Sequence, residues 1–459
     1  SNGGAYGGAT LGRSDVYGSV YQPSHLGSAG NGNYGGGAIK LIISNNLNNN
    51  GIITSNGGSA WNSGGSGGSI WIDTNEIAGS GTIRANGGYG QQNSIGGSGG
   101  RIAIYYNSNS IATPFNFDNN IQSYGGTNEW GSGGWAYGGP GTIYIEQKGV
   151  DQSNTGLLKV DGANITASYQ AAVPEDSYQF KQIKLLRSGG LKFLGQNSIL
   201  TVTSGAGLTG DSTNPSLITS GLFNYTGEDT LAINGVNVTI NGDTEGLEDA
   251  ILGSTLQGSL TLYANTWANT TGEYTFRDLQ IGQYGRLNLV SYDNGDTNYT
   301  NDRGVTLNIN NLNVASGGVV SGNGYGYSGT RGPGGSSGGG AYGGYTGGAS
   351  PYGDFRLPTD LGSSGSGGSG GGSVKLNISN DLVVNGTIST NGTSVSGCSG
   401  SGGSGGSLQI LTSNLSGAGY IQSNGGYGGC NALGGSGGRI AIYYSTITDF
   451  NISNQVEAF

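Results

Sequence analysis

Short runs of alternating apolar and polar residues recur along this chain, and each run follows a cluster of glycines. Clear examples are residues 36–42, 68–72, 100–104 and 141–145. Alternation with a period of two residues indicates a half-buried β-strand. No segment sustains the apolar spacing of an amphipathic helix, and glycine and asparagine are too frequent to support one. The chain is therefore predicted to be all-β, with essentially no helix.

The strands also return at a regular spacing. Ser69 and Arg101 begin equivalent strands 32 residues apart, and Ser407 and Arg439 repeat that spacing. A second, shorter strand that ends in Asn-Gly-Gly lies between each pair, and glycine supplies the positive φ that a sharp corner needs. Strand, turn, strand and glycine loop, repeated about every 30 residues, predict the coils of a parallel β-helix or β-solenoid. Glycines before a strand are expected to stack closely on their copies in the next coil.

A long internal duplication divides the chain. Residues 96–106, Gly-Gly-Ser-Gly-Gly-Arg-Ile-Ala-Ile-Tyr-Tyr, return letter for letter at 434–444, and Gly-Gly-Ala-Tyr-Gly-Gly at 3–8 returns at 339–344. We therefore predict a glycine-rich solenoid repeat at 1–150 and its copy at 321–459. Residues 151–320 are poorer in glycine and are predicted as further solenoid, with an inserted β-sandwich as the alternative.

The composition limits the partners. The 459 residues include 99 glycines and one histidine, and only 10% are charged, with a net charge of −10. An acidic chain is unsuited to nucleic acid or to an anionic membrane surface. No stretch approaches the roughly 18–20 apolar residues of a membrane span. We expect no nucleic acid partner and no membrane span.

The two cysteines, Cys398 and Cys430, are separated by 32 residues, which equals the coil spacing measured nearby. Both follow an Asn-Gly corner, so they are expected to lie one above the other in adjacent coils. A coil separation of about 4.8 Å suits the Cα separation of a disulfide. We predict a Cys398–Cys430 disulfide and an oxidising, extracellular compartment.

The two ends of the sequence match neighbouring parts of one coil. Residues 448–459 align with 113–124, where the internal copy continues into glycines, and the first four residues resemble the corner that follows such a strand. Read tail to head, Val456-Glu457-Ala458-Phe459 and Ser1-Asn2-Gly3-Gly4 form one uninterrupted coil. Either copies dock head to tail by strand addition through these eight residues, or the sequence is a window of a longer repeating polypeptide.

The sequence gives little support for a metal-binding or catalytic site. The acidic residues Asp243 and Glu245, and Asp293 and Asp296, are weak candidates for a metal such as calcium, which prefers six to eight oxygen ligands. They do not follow the EF-hand spacing, and solvated acidic turns are the simpler interpretation. The single histidine, His25, lies in a loop-like stretch, so neither a catalytic triad nor a metal–histidine site is expected. We predict no enzyme and no cofactor.

Two features of the sequence concern carbohydrate: aromatic residues that can bind sugars and sequons that can carry a glycan. Outward aromatic residues could stack on sugar rings, with Trp61, Trp71, Trp130 and Trp135 as candidates, although such residues also pack against neighbouring coils. Asn-x-Ser/Thr sequons, whose number is close to chance for this composition, mark candidate glycosylation sites on exposed turns of a secreted protein. They are Asn164, Asn224, Asn237, Asn269, Asn298, Asn377, Asn385, Asn391, Asn414 and Asn451.

The recurring Gly-Gly-Ser-Gly-Gly-(Arg/Ser)-Ile-x-Ile pattern, in 1–150 and 321–459, resembles large glycine-rich extracellular repeat proteins. That resemblance implies a secreted, cell-surface setting and brings no catalytic residues. Together with the matching ends, it leads us to expect a subunit of an extracellular filament or surface coat that binds copies of itself. The alternatives are an adhesin that binds cell-surface glycans, or a polysaccharide lyase or hydrolase built on a β-helix.

Overall fold

The computed structural model describes residues 3–10, 15–59, 61–91, 94–128, 137–165, 169–398 and 400–459. The chain divides into two compact units. The first comprises residues 1–228 with 235–237, and the second comprises residues 229–234 with 238–459. The segment 151–320, predicted from its lower glycine content, is thus shared between the two units.

The first unit contains sixteen strands in the described residues. They are β1 Ala38–Asn48, β2 Ile52–Thr54, β3 Ser69–Ala78, β4 Thr82–Arg84, β5 Arg101–Asn109, β6 Ile121–Gln122, β7 Thr142–Gln147, β8 Leu157–Asp161, β9 Ala171–Val173, β10 Ser177–Phe180, β11 Gln182–Leu186, β12 Gly190–Phe193, β13 Ile199–Val202, β14 Leu208–Gly210, β15 Ser216–Thr219 and β16 Leu222–Tyr225.

These strands stack in ladders, one coil of the chain on another. The long ladder runs β1-β3-β5-β7-β8-β11-β14, and shorter ladders are β2-β4-β6, β9-β12-β15 and β10-β13-β16. Ser69 lies beside Arg101, so this coil takes 32 residues, as the sequence predicts. Among the described strands of this unit, only β7 and β8 pair antiparallel. The unit is a parallel β-solenoid, and its strands between 177 and 225 continue that solenoid and form no inserted sandwich.

The second unit continues the same design. Its strands are β17 Leu231–Asn234, β18 Asn237–Ile240 (all but its first residue), β19 Thr244–Glu245, β20 Asp249–Leu252, β21 Gly258–Tyr263, β22 Glu273–Ile281, β23 Gly285–Val290, β24 Val305–Val314, β25 Val319–Ser321, β26 Ser373–Val384, β27 Thr387–Ser389, β28 Ser407–Ser416, β29 Tyr420–Gln422, β30 Arg439–Thr448 and β31 Val456–Glu457. The ladders β17-β20-β22-β24-β26-β28-β30 and β21-β23-β25-β27-β29-β31 are its two main sheets.

Helix is almost absent from the described residues, as predicted. The two short elements are a 3₁₀ turn at Tyr299–Asn301 and an α-helical turn at Ile452–Gln455. Each is capped by an asparagine side chain: Asn298 accepts the N–H of Thr300, and Asn451 accepts the N–H of Ser453. Neither exceeds one turn, because the flanking sequence returns at once to strand alternation.

The core of each unit consists of aliphatic side chains stacked along the ladders. In the first unit Ile70, Ile102 and Ile143 occupy one column, and each is completely buried. Fully burying such a side chain stabilises the fold by about 1.5–3 kcal/mol. Leu376 and Ile410 form a similar buried pair in the second unit. The alternation seen in the sequence is therefore the alternation between this core and the outer face.

The glycine clusters pack backbone against backbone. A Cβ added to Gly97 would lie 2.0 Å from the carbonyl oxygen of Gly65, and one added to Gly100 would lie 2.1 Å from that of Gly68. No side chain fits at such separations, so glycine is required for neighbouring coils to approach this closely. The predicted close stacking of glycine loops between coils is present.

Candidate assembly edges

The duplicated strand occurs in two different surroundings. β5 lies between β3 and β7, whereas β30 pairs with β28 and is the edge of its described sheet. Ile102 and Ile104 of β5 are fully buried, but Ile440 and Ile442, the same residues in β30, are partly exposed. The same strand sequence is therefore covered by a neighbouring strand in β5 and uncovered on one side in β30.

Arg101, the first residue of β5, shows what the covering strand provides. Its side chain is fully buried and donates three hydrogen bonds. Nε donates to the carbonyl oxygen of Tyr17 at 2.9 Å, Nη1 to Oγ1 of Thr142 in β7 at 3.1 Å, and Nη2 to the carbonyl oxygen of Ala172 at 3.0 Å. Burial lowers the pKa of Arg101, yet arginine remains charged in proteins. The buried charge is therefore stabilised by oriented neutral acceptors.

Arg439, the first residue of β30, keeps only part of this arrangement. Its Nε donates to the carbonyl oxygen of Tyr352 at 2.8 Å, and its guanidinium lies 5.4 Å from the centre of the Tyr342 ring. Within the described residues no acceptor contacts its Nη1 or Nη2, and the residue is partly exposed. In Arg101 the two terminal nitrogens donate to Thr142 and Ala172, whereas those of Arg439 have no partner among the described residues.

A segment that crosses the coils accompanies each arginine, and we call it a strap: residues 3–10 and 15–37 in the first unit, residues 339–372 in the second. In the first strap Tyr6 N–H donates to Oγ of Ser98 at 3.0 Å, and its hydroxyl lies 2.6 Å from Oγ of Ser69. The second strap repeats these contacts, with Tyr342 bound to Ser436 at 2.8 Å and to Ser407 at 2.6 Å. Because the straps match, the missing neighbour of Arg439 is the main local difference between the two sites.

The straps explain the serine in Gly-Gly-Ser-Gly-Gly. Its hydroxyl is the atom that accepts a backbone N–H from the strap, from Tyr6 or from Tyr342. The strap tyrosines also pair with each other, Tyr6 with Tyr17 and Tyr342 with Tyr352, with ring centres 4.7 Å apart in both cases. Burial raises the pKa of Tyr6 and Tyr342, so both hydroxyls stay protonated over the physiological range.

A second pair of open strands lies at the start of the first unit. Among the described strands, β1 pairs with β3 alone and β2 with β4 alone, so both are edge strands. Ile39 and Leu41 of β1 point toward the core and are partly exposed, although their neighbours Ile70 and Ile72 are fully buried. These edges carry unpaired backbone groups beside half-covered aliphatic side chains, which is the surface to which another strand adds.

Of the eight residues predicted to form the head-to-tail interface, the C-terminal four lie on an open edge. β31 pairs with β29, and Phe459 N–H donates to Oδ1 of Asn424 at 2.9 Å. Phe459 is 79% exposed, and no described strand lies beyond β31.

In the N-terminal part of that prediction, the structure can be compared at Gly3 and Gly4. Ser1 and Asn2 lie outside the described residues, and Gly3 and Gly4 are buried inside the first strap. Gly4 N–H donates to the carbonyl oxygen of Gly64, and a Cβ on Gly3 would lie 2.4 Å from the carbonyl oxygen of Gly96. These glycines therefore cross the coils, and the residues available at that end are those of β1 and β2.

The predicted disulfide is confirmed. Cys398 and Cys430 are bonded, with their Cα atoms 4.8 Å apart, the distance expected between adjacent coils. The coil spacing of 32 residues thus located the pair correctly.

The sequons lie in different environments. Those with exposed asparagines are Asn164, Asn298, Asn385, Asn414 and Asn451; partly buried ones are Asn224, Asn237, Asn377 and Asn391. Asn269 is only 7% exposed, and its side-chain nitrogen donates to the carbonyl oxygen of Glu273 at 2.9 Å. A glycan on Asn269 is therefore incompatible with this packing.

The acidic candidates for a metal are engaged in other contacts. Asp293 accepts from both terminal nitrogens of Arg331, at 2.6 and 2.8 Å, and Asp243 accepts the N–H of Thr244 at 2.8 Å. Asp296 caps a turn by accepting the N–H of Asn298 at 2.7 Å, and Glu245 is exposed. The described residues contain no group of three His, Cys, Asp or Glu side chains close enough to share a metal ion.

The remaining candidates are dispersed. His25 packs edge-on against Tyr17, with ring centres 5.8 Å apart. Trp61 is 68% exposed, Trp71 lies under the Lys40 ammonium at 3.6 Å, and Trp130 and Trp135 fall outside the described residues. No described helix has the length and apolar character required to cross a membrane.

Comparison with protein-family models, with curated proteins and with solved structures found no match for this chain. The geometry of the edges therefore carries the functional argument. Sequence reasoning missed Arg439 and the β1 strand as edge residues.

Proposed function

We propose that this protein is a structural subunit of an extracellular filament or surface coat, in which copies assemble head to tail through their open strands. The observation that carries the proposal is the pair of identical strands, β5 covered by β7 and β30 uncovered. Strand addition to an open edge supplies main-chain hydrogen bonds and covers half-exposed apolar side chains. A repeated head-to-tail contact of this kind generates an open filament.

The register of the joint follows from the first unit. There Ile102 lies beside Ile143, and Ile104 beside Ile145. With β1 of the next copy in the position of β7, Ile39 lies beside Ile440 and Leu41 beside Ile442, which continues both aliphatic columns of the core. In the neighbouring sheet, Val456 of β31 is joined by Ile53 of β2. The disulfide supports an oxidising, extracellular setting for the assembly.

A charge placed at one position of β1 tests the joint. Leu41→Lys points an ammonium group into the predicted contact, where burial without a partner is costly. In the free protein this position is partly exposed, so the lysine can reach water. Ile42→Lys is the matched control, because it makes the same change one residue along, on the outer face, where Ile42 is 62% exposed.

The measurement is sedimentation over a dilution series, with negative-stain microscopy of the concentrated samples. We expect the unmodified protein and Ile42→Lys to form filaments, and Leu41→Lys to remain monomeric with an intact circular dichroism spectrum. Monomeric unmodified protein at every concentration, or filaments of Leu41→Lys equal to those of the control, would refute the proposed joint.

A further inference from the structure

An open groove of about 350 Å³ lies in the first unit, where the long ladder reverses direction. Gln147 ends β7, and a tight turn follows in which the N–H of Asp151 donates to the carbonyl oxygen of Gln147 at 2.9 Å. The chain then returns antiparallel as β8. Because of this reversal, the regular stacking of coils is interrupted beside Tyr106, and the ring of Tyr106 lines the groove.

Two aromatic rings that stack on each other line the groove, and we call this pair the platform. The rings of Tyr106 and Phe117 are stacked, with centres 4.9 Å apart and planes inclined by 30°. Phe117 rests against the edge of Phe115, which is 2% exposed, and both Tyr106 and Phe117 pack on the isoleucine core. The platform is therefore held in place by the fold before any ligand arrives.

The rim of the groove is polar and electrically balanced. Asp151 accepts from the Lys181 ammonium at 3.1 Å through Oδ1 and from the N–H of Gln147 at 2.9 Å through Oδ2. The side-chain nitrogen of Gln147 donates to Asn107 O, and that of Gln182 donates to Thr209 Oγ1. Both amide oxygens are thus free of protein donors among the described residues, and Lys181, whose side chain is 54% exposed, keeps further N–H groups for a ligand.

We propose that this groove binds one ring of an uncharged carbohydrate. The C–H face of a pyranose ring suits the apolar ring surface with which the stacked pair of Tyr106 and Phe117 lines the groove, and its hydroxyls can both donate to the amide oxygens and accept from Lys181. Asp151 and Lys181 neutralise each other, so the rim favours neither an anionic nor a cationic ligand. A volume of about 350 Å³ lies at the small end of ligand pockets, which suits a single sugar ring.

The second unit serves as an internal comparison. Tyr444 of β30 corresponds to Tyr106, but Ile452 occupies the place of Phe117 in the aligned sequence. Tyr444 is 41% exposed and Ile452 39%, and an isoleucine cannot stack on the tyrosine as the ring of Phe117 does. The platform with its polar rim is therefore a feature of the first unit, and one binding site per chain is expected.

The test is calorimetric titration of dilute, unassembled protein with cellotetraose, xylotetraose, mannotetraose and galactotetraose, and with trigalacturonate as the charged counterpart. We expect at least one neutral oligosaccharide to bind at one site per chain, and more tightly than trigalacturonate. Tyr106→Ala should weaken that binding about tenfold or more, and Tyr106→Phe should retain most of it. Ala206→Trp, which adds a bulky ring to the lining without altering the platform, should abolish it.

Tyr89→Ala is the control, because it removes a 53% exposed tyrosine of the same unit outside the groove. The proposal is overturned if none of the neutral oligosaccharides binds at millimolar concentration, if trigalacturonate binds more tightly, or if folded Tyr106→Ala and Ala206→Trp bind as the unmodified protein does. Folding of each variant is checked by near-ultraviolet circular dichroism. Since the titration uses unassembled protein, its failure leaves the test of the head-to-tail joint unaffected.

Discussion

The two copies of the same arginine allow one prediction to be worked out in detail. Arg101→Met and Arg439→Met both remove a guanidinium and retain most of the apolar stem. Arg101 loses three hydrogen bonds to buried acceptors, each contributing about 1.5 kcal/mol for a charged donor. Part of that loss is offset because the charge no longer needs to be buried. We expect Arg101→Met to lower the free energy of unfolding by about 3 kcal/mol.

Arg439→Met should cost about 1 kcal/mol in the unassembled protein, since one hydrogen bond is lost at a partly exposed position. Urea unfolding at low protein concentration, in the Leu41→Lys background that prevents assembly, measures both values. The difference of about 2 kcal/mol corresponds to roughly 30-fold in the unfolding equilibrium. Equal losses in the two variants would refute the argument, because they would mean that the uncovered guanidinium is held as firmly as the covered one.

Three further predictions concern stability. Reducing the Cys398–Cys430 disulfide frees a loop of 32 residues and should lower the free energy of unfolding by about 3–4 kcal/mol, measured by urea unfolding with and without reductant. Gly100→Ala places a methyl group 2.1 Å from the carbonyl oxygen of Gly68. It should lower the free energy of unfolding by about 2–3 kcal/mol, measured by calorimetry. Burial raises the pKa of Asp360, so the folded state holds its proton more tightly than the unfolded state, whose pKa is near 3.8. Stability should therefore fall as the pH rises from that value through the folded pKa, and Asp360→Asn should remove this fall in a pH series of urea titrations.

Each of these has a specific control or contradicting result. The Cys398→Ser, Cys430→Ser double variant must match the reduced protein, and a change below about 1 kcal/mol on reduction would contradict the loop-closure argument. Gly51→Ala is the control for Gly100→Ala, because a Cβ at Gly51 meets no atom within 4 Å. For Asp360, an unchanged pH dependence in the asparagine variant would show that another group titrates.

The periodic part of the fold could be predicted from the sequence because it depends on local alternation and on a constant coil length. The spacing from Ser69 to Arg101 predicted their pairing, and the same spacing predicted the disulfide. In a parallel solenoid each residue contacts its equivalent one coil away, so a repeat in the sequence is also a list of spatial neighbours.

The straps, the joint residues and the groove could not be found in that way. Tyr6 contacts Ser98, 92 residues away, through a segment that crosses the coils and follows no period. The repeated Gly-Gly-Ala-Tyr-Gly-Gly motif was visible, but its resemblance to a corner suggested a place within a coil. The groove depends on one antiparallel step between β7 and β8, which alternation does not reveal because both directions share the period of two.

The sequence by itself thus determined the all-β character, the coil length, the parallel stacking and the cysteine pair, since each follows from a local period or from composition. Only the tertiary structure decided which strands lie uncovered, that Gly3 and Gly4 are buried in a strap, and that Arg439 lacks the acceptors Arg101 has. The physical reason is that edges and crossings depend on what lies next to a strand in space, and two identical strand sequences can have different neighbours.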